Sequence, residues 1–258
     1  MLFQIKSYLK FLLKSTNQHG VHSPFVYQLI TECFYDTSDK KWYQKLEHYR
    51  NTLLKNDVII EIEDFGAGSK SLQQRKRKIS DIAKNAGITY KRAKLLGRMV
   101  SYFEAKNILE IGTSIGISTT AMSFGSPNGL ITTLEGCPNT TKFAKDSFEK
   151  FELNNINSIV GNFDKTLSYE LQNKIFDFIY FDGNHQKQAT INYFEQCLPH
   201  IHNQSVFIFD DIYWSRGMQE AWQYIKNHPK VTVSIDTFYW GIVFFRKEQE
   251  KEHFVIRI

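Results

Sequence analysis

The 258-residue chain is long enough for one α/β domain with a sizeable core and an appendage. Hydrophobic residues at 42% and charged residues at 23% exclude wholesale disorder, and a net charge of +5 is too small to indicate a dedicated nucleic-acid binder. Three widely spaced cysteines build neither a disulfide framework nor a paired-cysteine metal site, and no run of about 18 apolar residues predicts a transmembrane helix. We therefore expect a folded cytoplasmic protein.

The N-terminal zone, residues 1–63, is rich in aromatic residues and is predicted to be helical. Apolar side chains recur at helical spacing in its first segment: Leu2, Ile5, Leu9, Leu12 and Leu13. Lysines occupy another face of the same helix. Such a helix packs on the protein's own core or on a second subunit, or it rests on a membrane surface.

The second zone, residues 64–80, combines a glycine-rich stretch with the basic run Arg75 to Lys78. This composition predicts a flexible basic loop. The loop either closes over a substrate or is a solvated linker.

From Lys106 onwards, strand-like apolar runs alternate with helical stretches. The predicted strands are 107–111, 130–135, 158–160, 176–182, 205–210, 231–237 and 241–246. The predicted helices between them include 117–124, 139–151, 187–198 and 215–227. Only three residues separate the last two strands, which is too short for a parallel crossover and predicts an antiparallel hairpin. The fold class is therefore α/β and Rossmann-like, with a mostly parallel seven-stranded sheet, helices on both faces, a C-terminal hairpin and an N-terminal helical extension.

The first of these strands ends in a glycine turn that leads into a helix, with the sequence EIGTSIG from Glu110 to Gly116. Such a turn lets a ligand approach backbone N–H groups at the start of the helix. Ser114 stands where a dinucleotide-binding fingerprint has its second glycine, which counts against NAD. The next strand ends at Glu135, whose carboxylate is placed to accept hydrogen bonds from both hydroxyls of a ribose.

These two features resemble the class I S-adenosylmethionine-dependent methyltransferases, whose first motif is E/D-x-G-x-x-x-G after a strand. The resemblance implies S-adenosylmethionine as cofactor and assigns its binding to Glu110, Gly112, Thr113, Gly116, Ser118, Glu135, Asn162, Phe163 and Asp182. It places Gly112 and Thr113 beside the methionine part, Ser118 at the carboxylate and Glu135 at the ribose. Asn162 and Phe163 stand where the family contacts adenine. The plainer readings are a helix cap for Ser118 and a core residue for Phe163.

Two later strands end in acidic residues. Asp182 ends one strand and is followed closely by His185, and Asp210 ends the next and is followed by Asp211. Because the carboxyl ends of parallel strands face one crevice, we expect the three carboxylates to converge. They repel one another unless a cation neutralises them, and Mg²⁺ or another divalent cation prefers oxygen ligands. The alternative is that Asp182 and Asp210 only cap the helices that follow.

These acidic strand ends resemble the metal-dependent O-methyltransferases of the catechol and macrocin types. Asp182, Asp210 and Asp211 match their metal ligands, although Asp211 replaces an asparagine of the catechol type. His185 matches the base of the macrocin type, where the catechol type has a lysine. The resemblance implies metal-assisted O-methylation of a small-molecule hydroxyl on a sugar, phenol or catechol, with His185 removing the proton.

The resemblance also implies a division of the chain. It makes residues 81–258 the methyltransferase domain and residues 1–63 a cover for the acceptor or a surface for homodimerisation. Two other functions stay open at this point. One is a metal-independent methyltransferase that acts on nitrogen or RNA and grips phosphate with Arg75 to Lys78, and the other is a non-catalytic binding module on a Rossmann-like scaffold.

Overall fold

The computed structural model describes residues 2–63 and 75–258, which form two compact units. The central unit is Thr37–Gln172, and the N/C unit combines Met1–Asp36 with Asn173–Ile258. The predicted N-terminal extension is thus divided between the two units. The glycine-rich part of the predicted basic loop lies outside the described residues.

The helices follow the chain in the order α1 Leu2–Lys14, α2 Pro24–Gln28, α3 Lys41–Leu54, α4 Ile79–Asn85, α5 Tyr90–Tyr102, α6 Ile117–Gly125, α7 Pro138–Lys150, α8 Phe163–Leu171, α9 Lys187–Cys197 and α10 Arg216–Asn227. The strands are β1 Ile59–Glu61, β2 Lys76–Lys78, β3 Asn107–Ile111, β4 Leu130–Glu135, β5 Ile156–Val160, β6 Phe176–Phe181, β7 Ile201–Asp210, β8 Val233–Asp236, β9 Trp240–Phe244 and β10 Glu252–Val255. No helix within the described ranges is long and apolar enough to cross a membrane.

In the central unit, three parallel strands lie in the order β3, β4, β5. Four of the five residues of β3 are fully buried, because its side chains are covered on both sides, as in α/β proteins. β1 and β2 form a separate antiparallel pair in which Ile59 lies opposite Lys78. The basic run from Lys76 to Lys78 is therefore a strand, where the sequence predicted a loop.

In the N/C unit, the strand order is β6, β7, β9, β8, β10. β6 and β7 are parallel, and β9 is antiparallel to both β7 and β8. The predicted C-terminal hairpin is therefore confirmed as β8 and β9. The sequence did not predict β10, which pairs parallel with β8, because its residues Glu252 and His253 carry no strand-like apolar pattern.

The predicted fold class is confirmed as α/β with mostly parallel strands. All seven predicted strands are present, although β5 and β7 begin earlier than expected, at Ile156 and Ile201. The sequence missed α8, which begins directly after the short polar stretch at Asn162.

Candidate active site

The glycine turn after β3 has a backbone that few side chains tolerate. Gly112, Ser114 and Gly116 all have positive φ, at 108°, 47° and 81°. A Cβ atom on Gly116 would lie 2.4 Å from Cε1 of Phe148 and 2.9 Å from the hydroxyl of Tyr49. Only glycine fits at position 116, for both steric and conformational reasons.

The amide hydrogens of this turn are mostly engaged within the protein. Gly112 and Thr113 both donate to the carbonyl oxygen of Leu134, at 2.9 and 3.2 Å. Ser114 donates to Oε2 of Glu135 at 2.8 Å. The amide groups of Gly112 and Thr113 therefore hold the turn against β4.

The start of α6 offers donors that the turn does not. Its N-cap is Gly116, which has no side chain to cap the first amide groups of the helix. The first amide hydrogens of any helix lack partners within the helix, and they carry the positive end of the helix dipole. Ser118 lies in this first turn and is buried. The arrangement suits an anionic group.

Glu135 ends β4 and accepts two backbone hydrogen bonds. In addition to the bond from Ser114, its Oε1 accepts from the amide of Cys137 at 3.0 Å. A carboxylate oxygen has more than one lone pair, so a hydrogen bond from the backbone does not by itself exclude one from a ligand hydroxyl. Its backbone carbonyl accepts from Gly161 at 2.9 Å, which brings the end of β5 beside it.

Asn162 and Phe163 follow Gly161 at the start of α8. The side chain of Asn162 caps this helix by accepting from the amide of Asp164 at 2.8 Å. Phe163 is half-buried and leaves part of its ring accessible. Asn162 is exposed, so both predicted adenine contacts keep accessible surface.

Glu110 is fully buried beneath the glycine turn and anchors a network of hydroxyl groups. Its Oε2 accepts from Thr119 at 2.5 Å and from Thr133 at 2.6 Å, and the hydroxyl of Thr133 is also 2.5 Å from that of Thr113. Its Oε1 has no hydrogen-bond partner among the described residues. The side chain of Thr113 thus points into the network, and the carboxylate of Glu110 keeps one buried acceptor for a further group.

The environment of Glu110 raises its pKa from 4.5 to about 7. Burial is the main cause, because it disfavours the charged form, and the negative charge of Glu135 adds to it. The hydroxyls of Ser118, Thr119 and Thr133 lower the pKa and offset part of this effect. Sequence reasoning missed Thr119 and Thr133, although both are hydroxyl residues within otherwise apolar runs and this was an available signal.

Asp182 and Asp210 stand at the same end of two adjacent strands of the N/C unit. Phe181 of β6 is paired in parallel register with Phe209 of β7, and the two aspartates are the next residues. Neighbouring strands are about 4.8 Å apart, so the backbones at the two aspartates are close. Asp210 is buried, with 7% of its surface exposed. This part of the predicted convergence follows directly from the register.

His185 lies beside Asp182, with its Nε2 at 3.6 Å from Oδ1 of the carboxylate. Both side chains keep 23% of their surface exposed, which leaves them accessible to a ligand. Asn184 and Asp211, in the two loops that follow the strands, have positive φ at 51° and 52°. Such backbone strain in residues other than glycine is concentrated at functional sites.

Asp236, the last residue of β8, holds the loop that follows β7. The hydroxyl of Tyr213 donates to Oδ2 of Asp236 at 2.6 Å, and the amide of Phe238 donates to Oδ1 at 2.8 Å. The rings of Tyr213 and Phe238 are stacked at 5.2 Å. Burial raises the pKa of Asp236 and of Tyr213. Trp214, the next residue in the loop, has its ring centroid 6.4 Å from that of His185.

The predicted site residues divide between the two units. The central unit holds the predicted cofactor contacts from Glu110 to Phe163, and the N/C unit holds Asp182, His185, Asp210 and Asp211. Across residues 2–63 and 75–258, no group of three or more His, Cys, Asp or Glu side chains is arranged to hold a metal ion. The assignment of Asp182, Asp210 and Asp211 as metal ligands stays a prediction.

A mostly parallel α/β fold with a glycine turn after its first long strand and an acid at the end of the next is typical of Rossmann-like enzymes that bind a nucleoside cofactor. The family model described as O-methyltransferase matches residues 68–246, which is more than half of the chain. The chain belongs to this family and is an S-adenosylmethionine-dependent O-methyltransferase. No curated protein matches the chain significantly.

Solved structures of methyltransferases share the fold at low sequence identity. The O-methyltransferase from Bacillus cereus in complex with SAH is 20% identical with a TM-score of 0.53, covering 82% of this chain and 94% of that one. TomG from Streptomyces achromogenes, an O-methyltransferase in complex with SAM, is 15% identical with a TM-score of 0.57, covering 83% and 94%. The SAH-bound methyltransferase PaMTH1 from Podospora anserina is 14% identical with a TM-score of 0.58, covering 88% and 97%.

Proposed function

We propose that this enzyme methylates a hydroxyl group of a small molecule, a sugar, phenol or catechol, with the assistance of a divalent cation. The observation that supports the proposal is the register of β6 and β7, which pairs Phe181 with Phe209, the residues directly before Asp182 and Asp210. His185 lies 3.6 Å from Asp182 at the same strand end. Carboxylates beside an accessible imidazole suit a hard cation and a proton acceptor.

The central unit supplies the proposed cofactor contacts. The uncapped start of α6 and Ser118 would hold the carboxylate of the methionine part. Oε1 of Glu110, which has no hydrogen-bond partner among the described residues, would accept a hydrogen bond from the ammonium group of the methionine part. A hydrogen bond between opposite charges is stronger than one between neutral groups. Glu135 would accept from the ribose hydroxyls, and the accessible ring of Phe163 would stack on adenine.

The proposed metal ligands are the carboxylates of Asp182, Asp210 and Asp211. Their oxygen atoms are the donor type that Mg²⁺ prefers, and two of the three stand on adjacent strand ends, so the residues fit the ion. When bound, such a cation lowers the pKa of the acceptor hydroxyl and fixes its oxygen.

His185 is the proposed general base. Its neutral ring would take the hydroxyl proton, and the neighbouring carboxylate of Asp182 would stabilise the imidazolium that forms. Trp214, close to His185, would form one wall of the acceptor pocket. Family membership favours oxygen over nitrogen as the methyl acceptor. A cytoplasmic location and a homodimer through the N-terminal helices stay predictions.

The decisive experiment measures methyl transfer to a panel of catechols, sugars and phenols, with Mg²⁺ and with EDTA. We expect EDTA to lower turnover by about 10²-fold or more, because the cation supplies several kcal/mol of charge stabilisation. Calorimetric titration with S-adenosylmethionine should give the same affinity, within about twofold, in both conditions. Asp182→Ala should reproduce the effect of EDTA on turnover.

Asp177→Ala is the matched control, since Asp177 lies at the opposite end of the same strand. Its turnover should equal that of the wild type. Full activity in EDTA would eliminate metal assistance while leaving the O-methyltransferase assignment in place. An Asp182→Ala enzyme with normal turnover would remove that residue from the site.

A further inference from the structure

α1 carries its apolar stripe on the side that faces away from the protein. Leu2, Ile5, Leu9 and Leu13 expose 76%, 52%, 56% and 89% of their surface. At 100° per residue these four positions fall within an arc of about 80°. The helix thus presents a row of aliphatic side chains to its surroundings.

The opposite side of α1 is the one that packs on the N/C unit. Phe11 is buried there, and its ring lies 5.6 Å from that of Phe238 in the turn between β8 and β9. Tyr8 contacts the same ring edge-on at 4.8 Å, and Nε2 of Gln4 donates to the carbonyl of Trp214 at 3.5 Å. These contacts hold the inner side of α1, while each of the four aliphatic side chains keeps more than half of its surface exposed.

The charges of α1 indicate what the stripe binds. Lys6, Lys10 and Lys14 are exposed along one flank of the stripe, and the helix contains no acidic residue. Two copies of α1 packed through their stripes would bring six lysines together with no carboxylate on either helix to neutralise them. A surface that is both apolar and anionic complements the stripe and the lysines at once.

We propose that α1 docks in the plane of an anionic phospholipid membrane. The aliphatic stripe enters the boundary between headgroups and acyl chains, and the three lysines contact the phosphate groups. The rest of the N/C unit then remains on the aqueous side, because Phe11 and Tyr8 attach the inner face of the helix to Phe238. The proposal needs no membrane-spanning segment and does not depend on the reaction that the enzyme catalyses.

The test is flotation of the full-length protein with lipid vesicles. We expect binding to vesicles of phosphatidylglycerol and phosphatidylcholine in equal parts, and little to phosphatidylcholine alone. Leu9→Asp combined with Leu13→Asp should weaken binding by at least about tenfold, because it places charge in the apolar layer. Replacing Lys6, Lys10 and Lys14 by glutamine should weaken it by about fivefold per lysine, and added salt should weaken wild-type binding.

Two control variants test whether vesicle binding depends on this face of α1 or on nonspecific apolar and electrostatic attraction. Tyr169→Asp removes an exposed apolar side chain from α8, and the triple change Lys84→Gln, Lys145→Gln and Lys150→Gln removes the same charge elsewhere. Both should bind as the wild type does. Equal loss in the controls, or no flotation of the wild type, overturns the proposal.

Sedimentation velocity tests whether the aliphatic stripe binds a second copy of the chain instead of a membrane. A monomer at all concentrations, together with flotation on anionic vesicles, supports membrane docking. A dimer that Leu9→Asp with Leu13→Asp dissociates, without vesicle binding, shows that the stripe covers a second copy and overturns the proposal. Since the substituted side chains are exposed, circular dichroism should show unchanged folding. The lysine variant tests the electrostatic part of binding independently of the leucine variant.

Discussion

Two aspartate–histidine pairs stand at opposite ends of β6. At the amino end, Nε2 of His202 lies 2.8 Å from Oδ1 of Asp177, and Nδ1 of the same ring accepts from the amide of Gln204 at 3.1 Å. At the carboxyl end, His185 lies 3.6 Å from Asp182 in a looser contact. The tighter pair has both ring nitrogens engaged in structural bonds, whereas the looser pair lies where ligands bind in α/β sheets.

The comparison shows that the strength of a contact does not identify the functional pair. A ring whose two nitrogens are engaged has no site left for a substrate proton. The His185–Asp182 pair lies instead beside two loop residues with positive φ, Asn184 and Asp211. Position at the carboxyl end of the strand therefore decides between the two pairs, since exposure does not: His202 and Asp177 expose 39% and 26% of their side chains, against 23% for both His185 and Asp182.

The largest expected difference between the pairs is in turnover. We expect His185→Ala to lower kcat by about 10²- to 10⁴-fold, because a positioned general base contributes that much to proton transfer. His202→Ala should leave kcat within about twofold of the wild type. The acid limb of the pH–rate profile should disappear in His185→Ala alone. Similar losses in both variants would refute the argument from position.

Sequence alone predicted the positions of Asp182, His185 and Asp210, because strand periodicity and the parallel register follow from apolar runs. It did not predict that Asp177, near the start of β6, is bonded to His202. That bond joins β6 to β7, and the residue pattern along one strand does not predict which side chain it contacts on the neighbouring strand.

The orientation of α1 shows another limit of the sequence pattern. Its periodicity predicted an amphipathic helix correctly but not which face is buried. Phe11 lies on the opposite side from the leucines, and its aromatic contacts with Phe238 hold that side inward. The tertiary contacts of one large ring therefore decided the orientation of the whole apolar stripe.

A smaller effect is expected at Glu110, which extends the comparison to a carboxylate in the central unit. Because its pKa is raised from 4.5 to about 7, the folded state holds its proton more tightly than the unfolded state. The free energy of unfolding should therefore fall as pH rises from about 4.5 to 7 and then level off. The total change is about 3 kcal/mol, since each tenfold change in ionisation equilibrium is worth about 1.4 kcal/mol.

Glu110→Gln should remove this pH dependence, because the amide does not ionise. Urea unfolding of the two proteins between pH 4.5 and 8 gives the measurement, and Glu149→Gln, an exposed change on α7, is the control. The curve of the control should coincide with that of the wild type. If the wild type and Glu110→Gln keep a constant difference over this range, burial does not hold the proton on Glu110.

The smallest effect is expected in the loop that follows β7 and carries Asp211. Tyr213→Phe removes the hydrogen bond to Asp236 and leaves a largely buried carboxylate with one partner fewer, which should lower the free energy of unfolding by about 1 to 2 kcal/mol. Tyr224→Phe is the matched control, since Tyr224 makes an equivalent bond of 2.9 Å to Glu195 at the surface. Water replaces that bond, so its loss should cost less than about 0.5 kcal/mol. Equal costs in urea unfolding would mean that burial does not strengthen the Tyr213 bond, and an unchanged kcat in Tyr213→Phe would show that this bond does not position the loop for catalysis.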